Sequence, residues 1–264
     1  MPFIDVDGTA INCRFHGPEQ GPVVMLSNSL ASDLSMWKLQ IPVLIDAGFR
    51  VLRYDSRGHG KSAVSQGPYT MDLLTTDAVK IIDTLGLDKI LFCGLSKGGM
   101  VGQMLGTKYA DRLLALVLCS TSAYIGPREI WDERIASVQK SGMVTVVDAT
   151  IDRWFTKPGQ ARLPQEVDKV RQAILNTPVD GFCACSAAIR DMDQRESIRA
   201  ISTPTKVIVG EHDPGTPVSA AELIHGQIAG SELQIISDAA HFVQIEQAAV
   251  FNQALLEFLE KSAA

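Results

Sequence analysis

The stretch Ile90-Leu-Phe-Cys-Gly-Leu-Ser-Lys-Gly-Gly99 decides the fold. Its first four residues are a short apolar run, the pattern of a strand buried on both faces. Gly94-Leu95-Ser96-Lys97-Gly98 then reads G-x-S-x-G, and residues 100–109 continue with helical periodicity. A strand that turns sharply into a helix forces the intervening serine into strained backbone angles, and flanking glycines leave room for the turn. The geometry exposes the Ser96 hydroxyl at the carboxyl edge of a sheet and aims the helix N-terminus at the same place. The Lys97 backbone N–H then becomes a donor for an oxyanion forming on a bound carbonyl. The plainer alternative is a glycine-rich turn whose serine only caps a helix.

Outward from this turn, other apolar runs end in small polar clusters. They are residues 23–26 before Ser27-Asn28-Ser29, 49–54 before Asp55-Ser56-Arg57-Gly58, 113–119 before Ser120-Thr121-Ser122, and 206–209 before Gly210. Helical spacing lies between them. In residues 69–86, Leu74, Ala78, Ile81, Ile82 and Leu85 recur at intervals of three and four behind Thr70 as N-cap, and Phe251, Leu255, Phe258 and Leu259 repeat that spacing. The fold class is therefore α/β, a mostly parallel sheet with helices on both faces. Ligands in such sheets sit at the carboxyl ends of the strands, where the polar clusters gather. After Ser122 the alternation stops and the pattern turns helical until the strand at 206–209. The expected organisation is core 1–124, an inserted helical cap 125–197, and core 198–264.

Composition limits the rest. The 264 residues are 46% hydrophobic and 20% charged, enough for one large domain or a core with an insertion. With 24 Lys+Arg against 30 Asp+Glu the formal charge is −6, and no basic stripe suggests a nucleic-acid partner. No apolar run approaches the ~18–20 residues of a membrane span. The start carries Asp5 and Asp7 and lacks a basic-then-apolar leader, so the cytoplasm is the expected compartment. Cys13, Cys93, Cys119, Cys183 and Cys185 are an odd set without C-x-x-C spacing, read as reduced and structural. No metal constellation, phosphate loop or dinucleotide fingerprint stands in its proper context, and no cofactor is expected.

A serine nucleophile needs a base, and the base an orienting acid. Behind an elbow of this kind the two follow the serine in chain order. Asp213 stands just past the strand at 206–209, and His241 follows the strand at 233–236, before the last helix. His59, within Arg57-Gly58-His59-Gly60, is the rival base, although its glycine setting suits a tight turn that it helps to hold. Asp238 and Glu211 are the rival acids. His16, His212 and His225 are weaker candidates. The second oxyanion donor should come from the loop after residues 23–26, which makes the Leu30 N–H the candidate, with the Ser29 hydroxyl also within the site.

These residues resemble the α/β-hydrolase family along essentially the whole chain. Asp55-Ser-Arg-Gly-His-Gly-Lys-Ser62, Gly94-Leu-Ser-Lys-Gly-Gly99, Gly210-Glu-His-Asp213 and Ala240-His241 match its recurring blocks in order. More narrowly, the chain is similar to the 3-oxoadipate enol-lactonases of aromatic catabolism. That likeness lies in Leu26-Ser-Asn-Ser-Leu30, Leu52-Arg-Tyr-Asp-Ser-Arg-Gly-His-Gly60 and Phe92-Cys-Gly-Leu-Ser96, and in Gly99-Met-Val-Gly-Gln103 and Ala188-Ile-Arg-Asp-Met-Asp193. Lys97 departs from it, since the position is usually apolar in these relatives. Its side chain is expected to turn to solvent, because an unpaired buried ammonium is costly; the alternative is added positive charge near the substrate.

The resemblance implies acyl transfer to water from a small lactone bearing a free carboxylate. Ser96, His241 and Asp213 would be nucleophile, base and orienting acid, with direct attack by water as a variant. Arg134, three residues after Trp131, would pair with the carboxylate beneath a roof of Trp131 and Trp154. In the alternative, the tryptophans only pack the cap and Arg134 makes a surface ion pair. A general carboxylesterase, a C–C bond hydrolase of ring-cleavage products and a non-catalytic ligand-binding relative are the competing functions. The expected partners are the acidic lactone and water, with the oligomeric state open.

Overall fold

Eight strands run through the computed structural model, which describes residues 3–263. They are β1 (Phe3–Val6), β2 (Thr9–His16), β3 (Val23–Ser27), β4 (Arg50–Tyr54), β5 (Ile90–Leu95), β6 (Leu113–Cys119), β7 (Thr205–Gly210) and β8 (Glu232–Ile236). One sheet holds them in the order β1-β2-β4-β3-β5-β6-β7-β8. From β4 to β8 every pairing is parallel, whereas β2 pairs antiparallel with both β1 and β4. Successive side chains of a strand point to opposite faces, and β3, β5 and β7 are buried at every residue. Both faces of the sheet centre are therefore covered, which is why these strands read as unbroken apolar runs.

Part of the start read above for a leader, Met1 and Pro2, lies outside the described residues, as does Ala264. The hairpin β1–β2 escapes apolar-run reading because β1 alternates between buried and exposed residues and β2 mixes polar with apolar residues and ends half-buried. Before the elbow come α1 (Ile41–Asp46) and α2 (Met71–Thr84), and after it α3 (Lys97–Lys108). Thr70 caps α2 as its spacing indicates, its hydroxyl accepting the Leu73 N–H at 3.1 Å.

Between β6 and β7 lie five helices, α4 (Arg128–Ser141), α5 (Val144–Trp154), α6 (Lys157–Arg162), α7 (Pro164–Leu175) and α8 (Val179–Arg190). Where this segment leaves and re-enters the sheet, Tyr124 and Asp193 form an antiparallel bridge and the Gln194 N–H donates to the Ala123 carbonyl at 2.7 Å. The chain closes with α9 (Val218–Gln227), α10 (Val243–Glu246) and α11 (Ala248–Ala263). No helix among the described residues is long and apolar enough to cross a membrane. The turns after β3, β5, β7 and β8 all open at the carboxyl end of the sheet, and they carry Ser29, Ser96, Asp213 and His241.

Candidate active site

Ser96 sits between β5 and α3 with φ 56° and ψ −116°, a strained conformation for a residue with a side chain. The surrounding bonds hold it there. Its N–H donates to the Cys119 carbonyl at 2.9 Å, and its own carbonyl accepts from Thr121 Oγ1 at 2.8 Å and from the Met100 N–H at 3.0 Å. A Cβ on Gly94 would come within 2.2 Å of the Gly98 carbonyl, and one on Gly98 within 2.2 Å of the Ser27 carbonyl. Both motif glycines are thus required by close backbone approach, and the second draws the start of α3 against the end of β3.

Asp213 and His241 meet as their positions after β7 and β8 suggest. His241 Nδ1 lies 2.7 Å from Asp213 Oδ2, with both side chains buried. Asp213 also accepts the N–H groups of Gly215 and Thr216 at 2.9 and 3.0 Å and the Thr216 hydroxyl at 2.7 Å. Burial opposes the charged carboxylate, yet the His241 ring and these donors outweigh it and hold Asp213 below the ordinary carboxylate range. An ionised acid on Nδ1 fixes the tautomer that leaves Nε2 free to take a proton. Thr216 went unmarked in the sequence; its hint is its place three residues after the acid in a Pro-Gly turn.

The rivals are placed elsewhere. Asp238, Glu211 and His212 are exposed, and the last two face each other at 3.9 Å. His225 meets Ser231 Oγ at 2.9 Å, and His16 meets Arg53 at 2.7 Å. His59 is fully buried and accepts the Ala31 N–H on Nε2 at 3.0 Å, so it holds a turn and does not face the cavity.

That turn follows β3. Ser29 N–H donates to Met36 Sδ at 3.4 Å and Ala31 N–H is held by His59, so Leu30 sits between two fastened neighbours at the cavity wall. The Ser29 hydroxyl is buried, lines the cavity and has no protein partner among the described residues. Lys97 is the first residue of α3, where a helix N–H has no preceding turn to bond.

The Lys97 side chain corrects the expectation that it turns to solvent. It is 1% exposed, and Nζ donates to Ser56 Oγ at 2.6 Å. Burial lowers its pKa, opposed by Cys185, Asp77 and Asp55. The ammonium is not left unpaired when buried, because a hydroxyl and nearby carboxylates from other elements supply the partners.

Ser29, Leu30, Ser96 and His241 share one cavity of about 260 Å³ with Trp131, Arg134, Trp154 and Phe182. Arg134 lies over the Trp131 ring at 4.7 Å, both on α4. Trp154 stacks on Phe242 at 3.9 Å and lies 6.1 Å from the His241 ring; it lines the cavity and supports the loop of the histidine together. Arg134 is half-buried and makes no ion pair among the described residues, which removes the alternative of a surface pair.

Arg153, on α5, was not singled out from the sequence. It lines the same cavity, donates to Thr150 Oγ1 at 3.0 Å and likewise has no carboxylate partner among the described residues. Burial and the charge of Arg153 push the Arg134 pKa down to about 10. Two guanidinium groups that share a partly dry cavity without an acid could accept a carboxylate, which would relieve both burial and repulsion. The available signal was the adjacency of Arg153 to Trp154, with Thr150 one helical turn behind.

Comparison with known proteins bears on the family. A model of the alpha/beta hydrolase family matches residues 23–254. The chain is 34% identical over 246 residues to 3-oxoadipate enol-lactonase 2 of Acinetobacter baylyi, covering 93% of this chain and 91% of that protein. It is 32% identical to 3-oxoadipate enol-lactonase 1 of the same organism, covering 96% and 94%. The crystal structure of the enol-lactonase from Burkholderia xenovorans matches it with a TM-score of 0.96 at 38% identity, across 98% of this chain and 100% of that one. With the elbow, the mostly parallel sheet and matches of this extent, the chain belongs to the alpha/beta hydrolase family.

Proposed function

We propose that this hydrolase opens a small enol-lactone bearing a free carboxylate, 3-oxoadipate enol-lactone, to 3-oxoadipate in the cytoplasmic breakdown of aromatic compounds. The observation that carries the reading is the pair Arg134 and Arg153, two arginines with no carboxylate partner among the described residues, in the cavity that holds Ser96 and His241. The names of the two Acinetobacter proteins support the same substrate, and that of the Burkholderia structure supports an enol-lactone. The cavity volume suits a compact ring better than a long acyl chain. In this reading residues 125–197 are the cap, and they supply the arginines and the tryptophan roof.

Ser96 Oγ attacks the lactone carbonyl as His241 takes its proton, and Asp213 stabilises the resulting imidazolium. The Leu30 and Lys97 N–H groups hold the tetrahedral oxyanion. The ring C–O bond then breaks and His241 returns the proton to the departing enol oxygen, and the enol tautomerises to the ketone. An enol is a better leaving group than an alkoxide, so protonation demands less of the histidine. Water, activated by His241, cleaves the acyl-enzyme and restores Ser96. The expelled enol stays tethered to the acyl group, and the arginines keep hold of the distal carboxylate through both steps.

The test is a panel of 3-oxoadipate enol-lactone, neutral lactones of equal ring size, short p-nitrophenyl esters and a ring-cleavage diketone. The highest kcat/KM is expected on the acidic enol-lactone. Preference for neutral esters would assign a carboxylesterase, and turnover of the diketone a C–C bond hydrolase.

A further inference from the structure

Two buried side chains beside the cavity have no part in the chemistry above, yet each is bonded next to one oxyanion donor. In the proposed mechanism Lys97 contributes only its backbone N–H, while its side chain is not among those that line the cavity and donates to Ser56 Oγ at 2.6 Å. Ser56 stands in the loop after β4, three residues before His59. His59 Nε2 accepts the Ala31 N–H at 3.0 Å, and Nδ1, 3.3 Å from the Arg57 carbonyl, is the nitrogen that carries the proton. One loop, residues 55–60, therefore grips the turn carrying Leu30 on one side and the first residue of α3 on the other.

The loop is itself anchored. Asp55 accepts the N–H of Leu34 at 2.7 Å, the N–H of Lys61 at 2.9 Å and the Asn12 amide at 2.7 Å, and Arg57 makes a two-point pair with Asp77 at 2.5 and 2.9 Å. The Lys97 backbone donor needs no ammonium, because any residue at that position has an N–H. The side chain therefore calls for a separate explanation, and the Ser56 bond supplies one. The charged and titratable groups around Lys97 are Asp77, Asp55 and Cys185; around His59 they are Lys97 and Cys185, whose Sγ lies 3.8 Å from Nδ1. Burial, then the Lys97 charge, push the His59 pKa down to about 3. His59 thus stays neutral and Nε2 stays an acceptor across the working pH range.

We propose that Lys97 and His59 are positioning residues of the oxyanion hole, coupled through the loop 55–60 so that the Leu30 and Lys97 N–H groups keep their spacing. The proposal rests on the reading of Ser96 and the two donors given above. Displacing a catalytic group by ~1 Å costs up to about 100-fold, and losing one oxyanion donor about 100- to 1,000-fold. Loosening the brace belongs at or below the first figure.

Lys97→Met keeps the backbone donor and removes the ammonium. Its kcat on a p-nitrophenyl ester is expected to fall by on the order of 10- to 100-fold with KM nearly unchanged. Affinity for phenylboronic acid, which forms a tetrahedral adduct on Ser96, should fall in parallel, while affinity for planar adipate should not. His59→Leu should behave alike, and His59→Gln, whose amide oxygen can accept the Ala31 N–H, should recover most of the loss. A folded Lys97→Met within twofold of wild type in kcat and boronate affinity would overturn the inference. If that variant does not fold, equal losses in His59→Leu and His59→Gln overturn it, and recovery in the glutamine variant supports it. Ser96→Ala is run alongside. Retained activity there overturns the parent reading with the inference, whereas an inactive Ser96→Ala beside an unaffected Lys97→Met overturns the inference alone.

Discussion

The Phe242 N–H donates to the Trp154 carbonyl at 2.9 Å, which fastens the residue after His241 to the end of α5. Glu246 makes a second tie between the same partners. Its buried carboxylate accepts the Ala240 N–H at 2.9 Å and the Thr156 N–H at 3.0 Å, together with the Thr156 hydroxyl. The loop bearing the candidate base and the segment roofing the cavity are thus joined as one piece.

Glu246→Ala leaves two backbone donors without an acceptor. It should destabilise the fold by about 3 kcal/mol, a fall of roughly 5–10 °C in Tm, and reduce kcat through a less well-held His241. Thermal denaturation and steady-state kinetics check this; an unchanged Tm would mean that water replaces the carboxylate at no cost.

Arg134→Ala and Arg153→Ala should each raise KM for the carboxylate-bearing lactone by about tenfold, the loss expected for one charge-assisted contact, and leave neutral esters nearly unaffected. Arg134→Lys should fall between, since an ammonium keeps the charge and loses the planar fork. Equal losses on acidic and neutral substrates would argue against an anion site.

Stability should depend on pH through His59. Its ring ionises near about 6.5 in the unfolded chain but only near about 3 when folded. As pH falls below 6.5 the unfolded state binds a proton that the folded state does not, so stability complete above that pH is lost toward acid. The slope reaches about 1.4 kcal/mol per pH unit, or about 2 kcal/mol between pH 7 and 5. His59→Gln should lack this part, as measured by urea unfolding at the two pH values. His16, whose pKa burial and Arg53 also lower, contributes to both proteins and cancels. Asp213 adds its loss only below about pH 4, because its folded pKa is depressed.

All five cysteines are free and buried. Burial pushes the Cys13 thiol up to about 12 and the Cys185 thiol up to about 11, so neither presents a reactive thiolate. Ellman's reagent should titrate less than one thiol per native chain and all five in guanidinium chloride. Rapid reaction of a native thiol would mean that part of this core opens readily.

The strand ends and the elbow were legible because they rest on local chemistry. Glycine spacing around Ser96, a strand end before Asp213 and a loop before His241 are written in consecutive residues. What escaped depends on contacts across long separations. The Lys97 side chain was misread because Ser56, its partner, lies 41 positions away on another strand's loop. Arg153 was passed over because a helix shows its apolar stripe in sequence and not which cavity its remaining residues border. β1 and β2 were legible only as a hairpin-like segment around His16, because short, partly exposed strands of mixed polarity are a weak signal beside the buried ones.

Every step proposed above requires Ser96 to be an activated nucleophile. Its most direct test is the intact mass of the protein after exposure to a fluorophosphonate, with the adduct located by peptide mapping. One phosphonyl group on Ser96 is expected, with complete loss of esterase activity, and none on Ser96→Ala. An unlabelled wild-type protein, or a label on another residue while activity persists, would contradict it.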